Sequence, residues 1–158
     1  IMPSLVGSEM CIRDRLNPAP AIELPKSLLE LTDIIIPNET EAELLTGISI
    51  NNESDMKETA TYFLDLGISA VLITLGEQGT YCAYQEQYKM IPACNVKAVD
   101  TTAAGDTFIG AFLSELNKDL SNLESAIRLA NQASSLTVQR KGAQASIPTR
   151  KEVEAEYN

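Results

Sequence analysis

From Leu16 to the C-terminus, short apolar runs alternate with amphipathic segments, and this alternation constrains the fold more than any other feature of the chain. Asp33-Ile-Ile-Ile36 is a short run of the buried-strand type, stopped by Pro37. A helix follows it through Leu45 and ends at Gly47. Residues 53–66 place Met56, Ala60, Phe63 and Leu64 on one face at i, i+4, i+7, i+8 spacing, which predicts a second helix with Gly67 as its C-cap. Ala70-Val-Leu-Ile-Thr-Leu75 is the strongest strand, with Gly76-Glu-Gln-Gly79 as its turn. Strand and helix in repeated succession predict an α/β chain built on a mostly parallel sheet.

Further along, Thr80–Tyr84 and Tyr88–Ile91 predict a hairpin across Gln85-Glu-Gln87, and Asn95–Val99 predicts another strand. A helix opening near Gly105 carries Phe108, Ile109, Phe112, Leu113 and Leu116 as its apolar stripe. Gly110 inside that helix costs about 1 kcal/mol relative to Ala, which predicts a close neighbour at that point. Residues 123–139 form the next helix, and Thr149-Arg-Lys-Glu152 is a capping box opening a last short one. Phe63, Phe108, Phe112 and Met56 belong to the core. The first fifteen residues, IMPSLVGSEMCIRDR, fit no period.

A chain of 158 residues suits one domain, and its charge separates classes of partner. Twelve Lys and Arg against 22 Asp and Glu leave a net charge of −10, which repels nucleic acid and anionic membranes alike. The sequence has no histidine, which excludes a Ser-His-Asp triad, a Cys-His pair and a His-ligated zinc. Acid–base chemistry falls to carboxylates, Lys, Tyr or Cys. Cys11, Cys82 and Cys94 are odd in number and form no C-x-x-C, so a reducing compartment, the cytoplasm, is expected. The run at residues 70–75 is far shorter than the ~20 residues of a membrane span. No basic region followed by an apolar stretch marks a secretory signal at the N-terminus.

The chemistry concentrates in Val99-Asp-Thr-Thr-Ala-Ala-Gly-Asp-Thr-Phe-Ile-Gly110. A strand runs into small residues, a glycine, an acid and then a helix. Two alanines and a glycine let a ligand approach the backbone, and free N–H groups at a helix start attract an anion. A carboxylate beside a bound phosphate is repulsive unless it has a task, such as taking a proton from an attacking hydroxyl. Spacing alone leaves Asp106 open between that role and a simple helix cap.

This stretch resembles the C-terminal signature of the ribokinase-like (PfkB) carbohydrate kinases. Leu16-Asn-Pro-Ala-Pro-Ala21, Ile36-Pro-Asn-Glu-Thr-Glu-Ala-Glu-Leu-Leu-Thr-Gly47 and Arg140-Lys-Gly-Ala-Gln144 agree in the same order. The double alanine, with the first and last of these elements, leans toward the branch that phosphorylates ribose over the fructokinases. The resemblance implies a three-layer α/β/α, Rossmann-like fold and ATP-dependent phosphorylation of a sugar hydroxyl, D-ribose to D-ribose 5-phosphate. It implies Asp106 as the general base and the backbone of Ala103, Ala104 and Gly105 as the anion hole for the transferring phosphate. That hole replaces a G-x-x-x-x-G-K-[ST] loop, which the sequence lacks.

Further roles rest on the same resemblance. Asn38-Glu-Thr-Glu41 matches an N-x-x-E motif that tunes Mg²⁺ and phosphate binding, with Glu41 acting through water; the same spacing is a capping-box variant, and the two readings are compatible. Thr74-Leu-Gly-Glu-Gln-Gly79 lies along the nucleotide in the family, placing Thr74, Gly76 and Gly79 there; alone it is an ordinary turn. Asn131 matches a position near the adenosine, against the alternative of an exposed helix asparagine. Asp100, Thr102, Thr137, Arg140, Gly142 and Ser146 match a loop that wraps a monovalent cation, K⁺, although two cations before a glycine also suit a helix end.

The family's sugar-binding residues, its small β lid and an early Asp lie in an N-terminal half that this sequence does not show. Residues 1–15 are expected to be a non-native or divergent leader, and 16–158 the nucleotide-binding and catalytic part of the kinase domain. The chain alone is expected to be inactive. The lid, a frequent basis of family homodimers, is not in the sequence. Another family member, a fructokinase or nucleoside kinase, stays open, as does a non-catalytic nucleotide-binding module. The intact Asp106 argues for the enzyme.

Overall fold

A computed structural model describes residues 14–19 and 24–157. Its strands are β1 (Arg15–Leu16), β2 (Ile34–Ile35), β3 (Ala70–Thr74), β4 (Gly79–Tyr84) and β5 (Gln87–Pro92), hydrogen-bonded in that order into one sheet. Its helices are α1 (Lys26–Leu29), α2 (Glu39–Thr46), α3 (Glu53–Asp65), α4 (Ala104–Glu115), α5 (Leu123–Thr137) and α6 (Arg150–Tyr157). β1, β2 and β3 are parallel, because helical segments separate them in the chain and return it to the same end of the sheet. Only the short turn Gly76–Gln78 joins β3 to β4, so that pair is antiparallel. β4 turns into β5 over Gln85 and Glu86, whose φ of 49° and 62° give the left-handed backbone conformation of a two-residue hairpin loop that fits the right-handed twist of the strands. Four strands therefore run one way and β4 against them, which agrees with the expected mostly parallel sheet.

Period two along the strands divides the core into two clusters. Ile34, Ile36, Ala70, Leu72 and Cys82 face Phe108 and Phe112 of α4 and Ile127 of α5. Ile35, Val71, Ile73, Tyr81 and Ala83 face Ala42 of α2 and Met56, Ala60 and Phe63 of α3. Adjacent strand residues point to opposite faces, so a continuous apolar run such as Ala70–Thr74 needs helices on both sides. The result is the three-layer α/β/α arrangement. α6 packs on α5 through Val153, Ala133 and Leu136. Among the described residues no helix is long and apolar enough to cross a membrane.

Three expectations need correction. Residues 95–99 are not a strand: Val96 and Val99 are only partly covered, and no neighbouring strand offers a ladder among the described residues. The Val99 amide instead donates to the Val138 carbonyl at 2.7 Å. Gly110 is exposed and a Cβ there would meet nothing within 4 Å, so no close neighbour explains it. α5 ends at Thr137, so Arg140 and Lys141 do not cap it.

Of the expected leader, Cys11 and the rest of 1–13 lie outside the described residues. The Asp14 carbonyl accepts the amides of Asp33 and Ile34 at 2.9 and 3.1 Å, so sheet pairing already includes Asp14 and Arg15. Pro20 and Ala21 also lie outside.

Candidate active site

A cleft of about 860 Å³ opens at the carboxyl ends of β2 and β3, where open α/β sheets bind their ligands. Its walls bring together Asn38, Thr74, Gly76, Gly79, Ala104, Gly105 and Asn131, residues spread over more than ninety positions of sequence. The Thr74 amide donates to the Pro37 carbonyl at 2.9 Å, and a parallel bridge then sets Asn38 beside Thr74.

Asn38 begins α2 with a complete capping box. Its Oδ1 accepts the Glu41 amide at 2.9 Å, and Glu41 Oε2 accepts the Asn38 amide at 2.8 Å. Glu41 is 9% exposed and does not line the cleft. The capping reading of this motif is therefore physically realised, and it fixes the Asn38 backbone at the mouth of the cleft.

Gly79 has a structural requirement of its own. Its φ is 111°, and a Cβ would lie 2.2 Å from the Ile91 carbonyl oxygen, so no side chain fits. Gly76, at φ 54°, has open space beside it. Next to Gly79, the Thr80 hydroxyl donates to Asn131 Oδ1 at 2.9 Å, and Asn131 Nδ2 donates to the carbonyls of Ile91 and Pro92 at 3.1 and 3.2 Å. Asn131 is 5% exposed, so it is a buried tie and not an exposed helix asparagine.

The start of α4 forms the remaining wall. Ala103 is left-handed at φ 63°, an uncommon conformation for a residue with a Cβ. The Ala104 amide donates to the Thr101 carbonyl at 3.2 Å, and the Thr107 amide to Ala103. The amides of Ala103, Gly105 and Asp106 have no backbone acceptor among the described residues, so the positive end of the helix is open there. Ala104 is thus already bonded, whereas its two neighbours are not. Asp106 is exposed in the first turn of α4, beside the cleft and outside its lining. Ser134 Oγ donates to the Ala104 carbonyl at 2.9 Å and anchors this turn to α5.

Asp100 ties two loops together. Its Oδ1 accepts the Thr102 amide at 2.9 Å and its Oδ2 the Gly142 amide at 3.0 Å. The Thr102 hydroxyl, then the Gly142 and Thr102 amides, hold the Asp100 carboxyl at about 2. Thr137 is buried with its hydroxyl directed to Thr107 Oγ1 at 3.1 Å, and its carbonyl accepts the Arg140 amide. The Arg140 guanidinium is engaged by Glu152 at 2.8 Å. Ser146, fully buried, donates its hydroxyl to the Ala143 carbonyl at 2.6 Å. The bonds thus join Asp100, Thr102 and Gly142 directly, while Arg140 can serve a loop site only through its backbone.

Part of the cleft was not visible in the sequence. Residues 93–98, which overlap the expected strand at 95–99, supply Cys94, Asn95 and Val96 to its wall. Burial, and then Cys94 beside it, pushes the Tyr157 phenol of α6 up to about 12. Ser134, Ser135 and Val138 also line the cleft. Their three-, four- and seven-residue offsets from Asn131 were the available signal, since such positions share a helix face. Among the described residues no group of three or more His, Cys, Asp or Glu could hold a metal ion.

The sequence profile of the pfkB family of carbohydrate kinases matches residues 6–150. A ribokinase of Staphylococcus aureus (strain COL) is 64% identical over 138 residues, 87% of this chain and 45% of that protein. A ribokinase of Thermotoga maritima superposes with a TM-score of 0.83 at 37% identity, covering 93% of this chain and 49% of the other. The ribokinase of Arabidopsis thaliana, solved with ribose and ATP, superposes with a TM-score of 0.79 at 36% identity, covering 85% and 43%. The chain spans less than half the length of these relatives.

Proposed function

The chain belongs to the pfkB family of carbohydrate kinases, and from that premise we propose that it carries the nucleotide-binding and phosphoryl-transfer region of an ATP-dependent ribokinase. The observation that carries the proposal is the open start of α4. The amides of Gly105, which lines the cleft, and of Asp106, beside it, have no backbone acceptor among the described residues, and an exposed carboxylate stands in the same turn. The amides suit an anion, and the carboxylate beside them, besides favouring the helix start, is placed to take a proton. The ribokinase relatives support ribose as the sugar.

In this reading the triphosphate of ATP reaches from Thr74, Gly76 and Gly79 to the α4 amides, with Asn38 at the opposite lip. Asp106 takes the proton of the sugar hydroxyl. The new O–P bond forms to the γ-phosphorus, the bond to the β-phosphate oxygen breaks, and ADP leaves with that electron pair. Phosphoryl transfer is mostly positioning and charge stabilisation, so fixed backbone donors suit it.

Two cations belong to the same reading. Mg²⁺ binds through few carboxylates, water and substrate phosphates, so a bound Mg²⁺ would screen the phosphate charge with Glu41 acting through water. Asp100, the carbonyls of Thr102, Thr137, Arg140 and Gly142, and Ser146 offer only oxygen, as K⁺ requires. The same reading expects a cytoplasmic enzyme, in keeping with the free Cys82 and Cys94, and a homodimer of the full-length protein. The charge of −10 on this chain argues against nucleic acid or an anionic membrane as its main partner.

The test is ADP release by the enzyme purified from its source, with ribose, fructose or adenosine as acceptor. Ribose-dependent turnover on the order of 1–100 s⁻¹ is expected. Preference for fructose or adenosine overturns the ribose assignment, and Mg-ATP binding without turnover makes the chain a binding module.

A further inference from the structure

From the geometry around Asn131 we infer that this residue is a positioning residue, one that shapes the nucleotide cleft without reading the nucleotide. The inference rests on the nucleotide reading of the cleft. Asn131 stands on α5 with its side chain between the start of β4 and the end of β5. Its Nδ2 spends both hydrogens, on the carbonyls of Ile91 and Pro92, and its Oδ1 receives the Thr80 hydroxyl. At 5% exposure the carboxamide has no donor left and almost no surface to offer a base.

What the carboxamide does control is the backbone on either side. Thr80 follows Gly79, whose tight approach to Ile91 lines the cleft, and Pro92 leads into the 93–98 wall. The Ala93 amide returns to the Gln78 carbonyl at 3.4 Å, closing the junction on its other side. Three separate chain segments thus meet at one buried amide. Removing it leaves the Thr80 hydroxyl and two carbonyls without their partner, and buried groups of that kind are costly to leave unpaired. The wall then shifts as a unit, and every nucleotide feels the change equally.

Calorimetric titration of the full-length enzyme with Mg-ATP and with Mg-GTP, well below the melting temperature, tests this. Asn131→Ala is expected to weaken both nucleotides by a similar factor, roughly tenfold. Thr80→Val, close to isosteric, removes the hydroxyl from the junction with Asn131 intact. It is expected to weaken both nucleotides as well, and the double variant to be no weaker than Asn131→Ala. Three results overturn the inference: a changed ATP-to-GTP ratio in Asn131→Ala, full additivity of the two substitutions, or a lowered melting temperature with both affinities intact. Failure of the unaltered full-length enzyme to bind Mg-ATP overturns the nucleotide reading itself, and this inference with it.

Discussion

Asp106 and Asp100 lie six residues apart, and their surroundings give them different work. Asp106 is exposed beside open amides, whereas Asp100 spends its carboxylate on Thr102 and Gly142. Asp106→Asn keeps the shape and removes the proton acceptor. In the enzyme it is expected to lower kcat by roughly 10²–10⁴-fold while Mg-ATP affinity stays within about threefold. A variant with near-full kcat rules Asp106 out as the base. Asp100 makes a statement about pH. Its folded value of about 2 lies below the ordinary ~3.9 of an unfolded aspartate. The stability it contributes is complete above the unfolded value and is lost as pH falls from about 4 through 2. The melting-temperature gap between the wild type and Asp100→Asn is expected to narrow across that window; a gap as wide at pH 2 as at pH 6 refutes the assignment.

At the scale of elements, α2 and α4 each separate a structural from a functional reading. Glu41 belongs to the capping box of α2, and Gln serves in such a box almost as well. Glu41→Gln is therefore expected to change stability by less than about 0.5 kcal/mol. If Glu41 also acts on the metal, the Mg²⁺ concentration for half-maximal activity rises severalfold in the same variant. An unchanged Mg²⁺ requirement leaves the residue a cap. In α4, Gly110 is exposed, helical and free of neighbours, so Gly110→Ala is expected to raise stability by about 1 kcal/mol in urea unfolding. A loss of stability there would reveal the close neighbour that the sequence suggested. The longer helices were legible from their period, and some from punctuation as well: Asn38 and Gly47 bracket α2, and Thr149 opens α6, whereas the four-residue α1 was not foreseen. The segment 95–99 was misread because alternating apolar residues describe a chain that could pair, and pairing needs a partner.

Across the whole molecule, the sheet separates two cores that share its strands but not its faces. Phe63 and Phe112 are both fully buried, one in each cluster. Phe63→Leu and Phe112→Leu are expected to cost on the order of 1–2 kcal/mol each, and the double variant their sum within about 0.5 kcal/mol. Coupling above about 1 kcal/mol in urea unfolding would show that the layers communicate through the sheet. The α/β alternation, the strand beginning at Ala70, the capping boxes of α2 and α6 and the small-residue stretch from Asp100 to Asp106 were legible in the sequence, because period, turn chemistry and small-residue runs act over a few neighbouring residues. Tertiary structure alone decided that the 93–98 segment becomes a cleft wall, that Arg140 is engaged by Glu152, and that Asn131 disappears into a junction of three segments. Each of these depends on a partner between 12 and 51 positions away, and what fills a buried donor or acceptor at such distance is settled by packing, which a local pattern does not record.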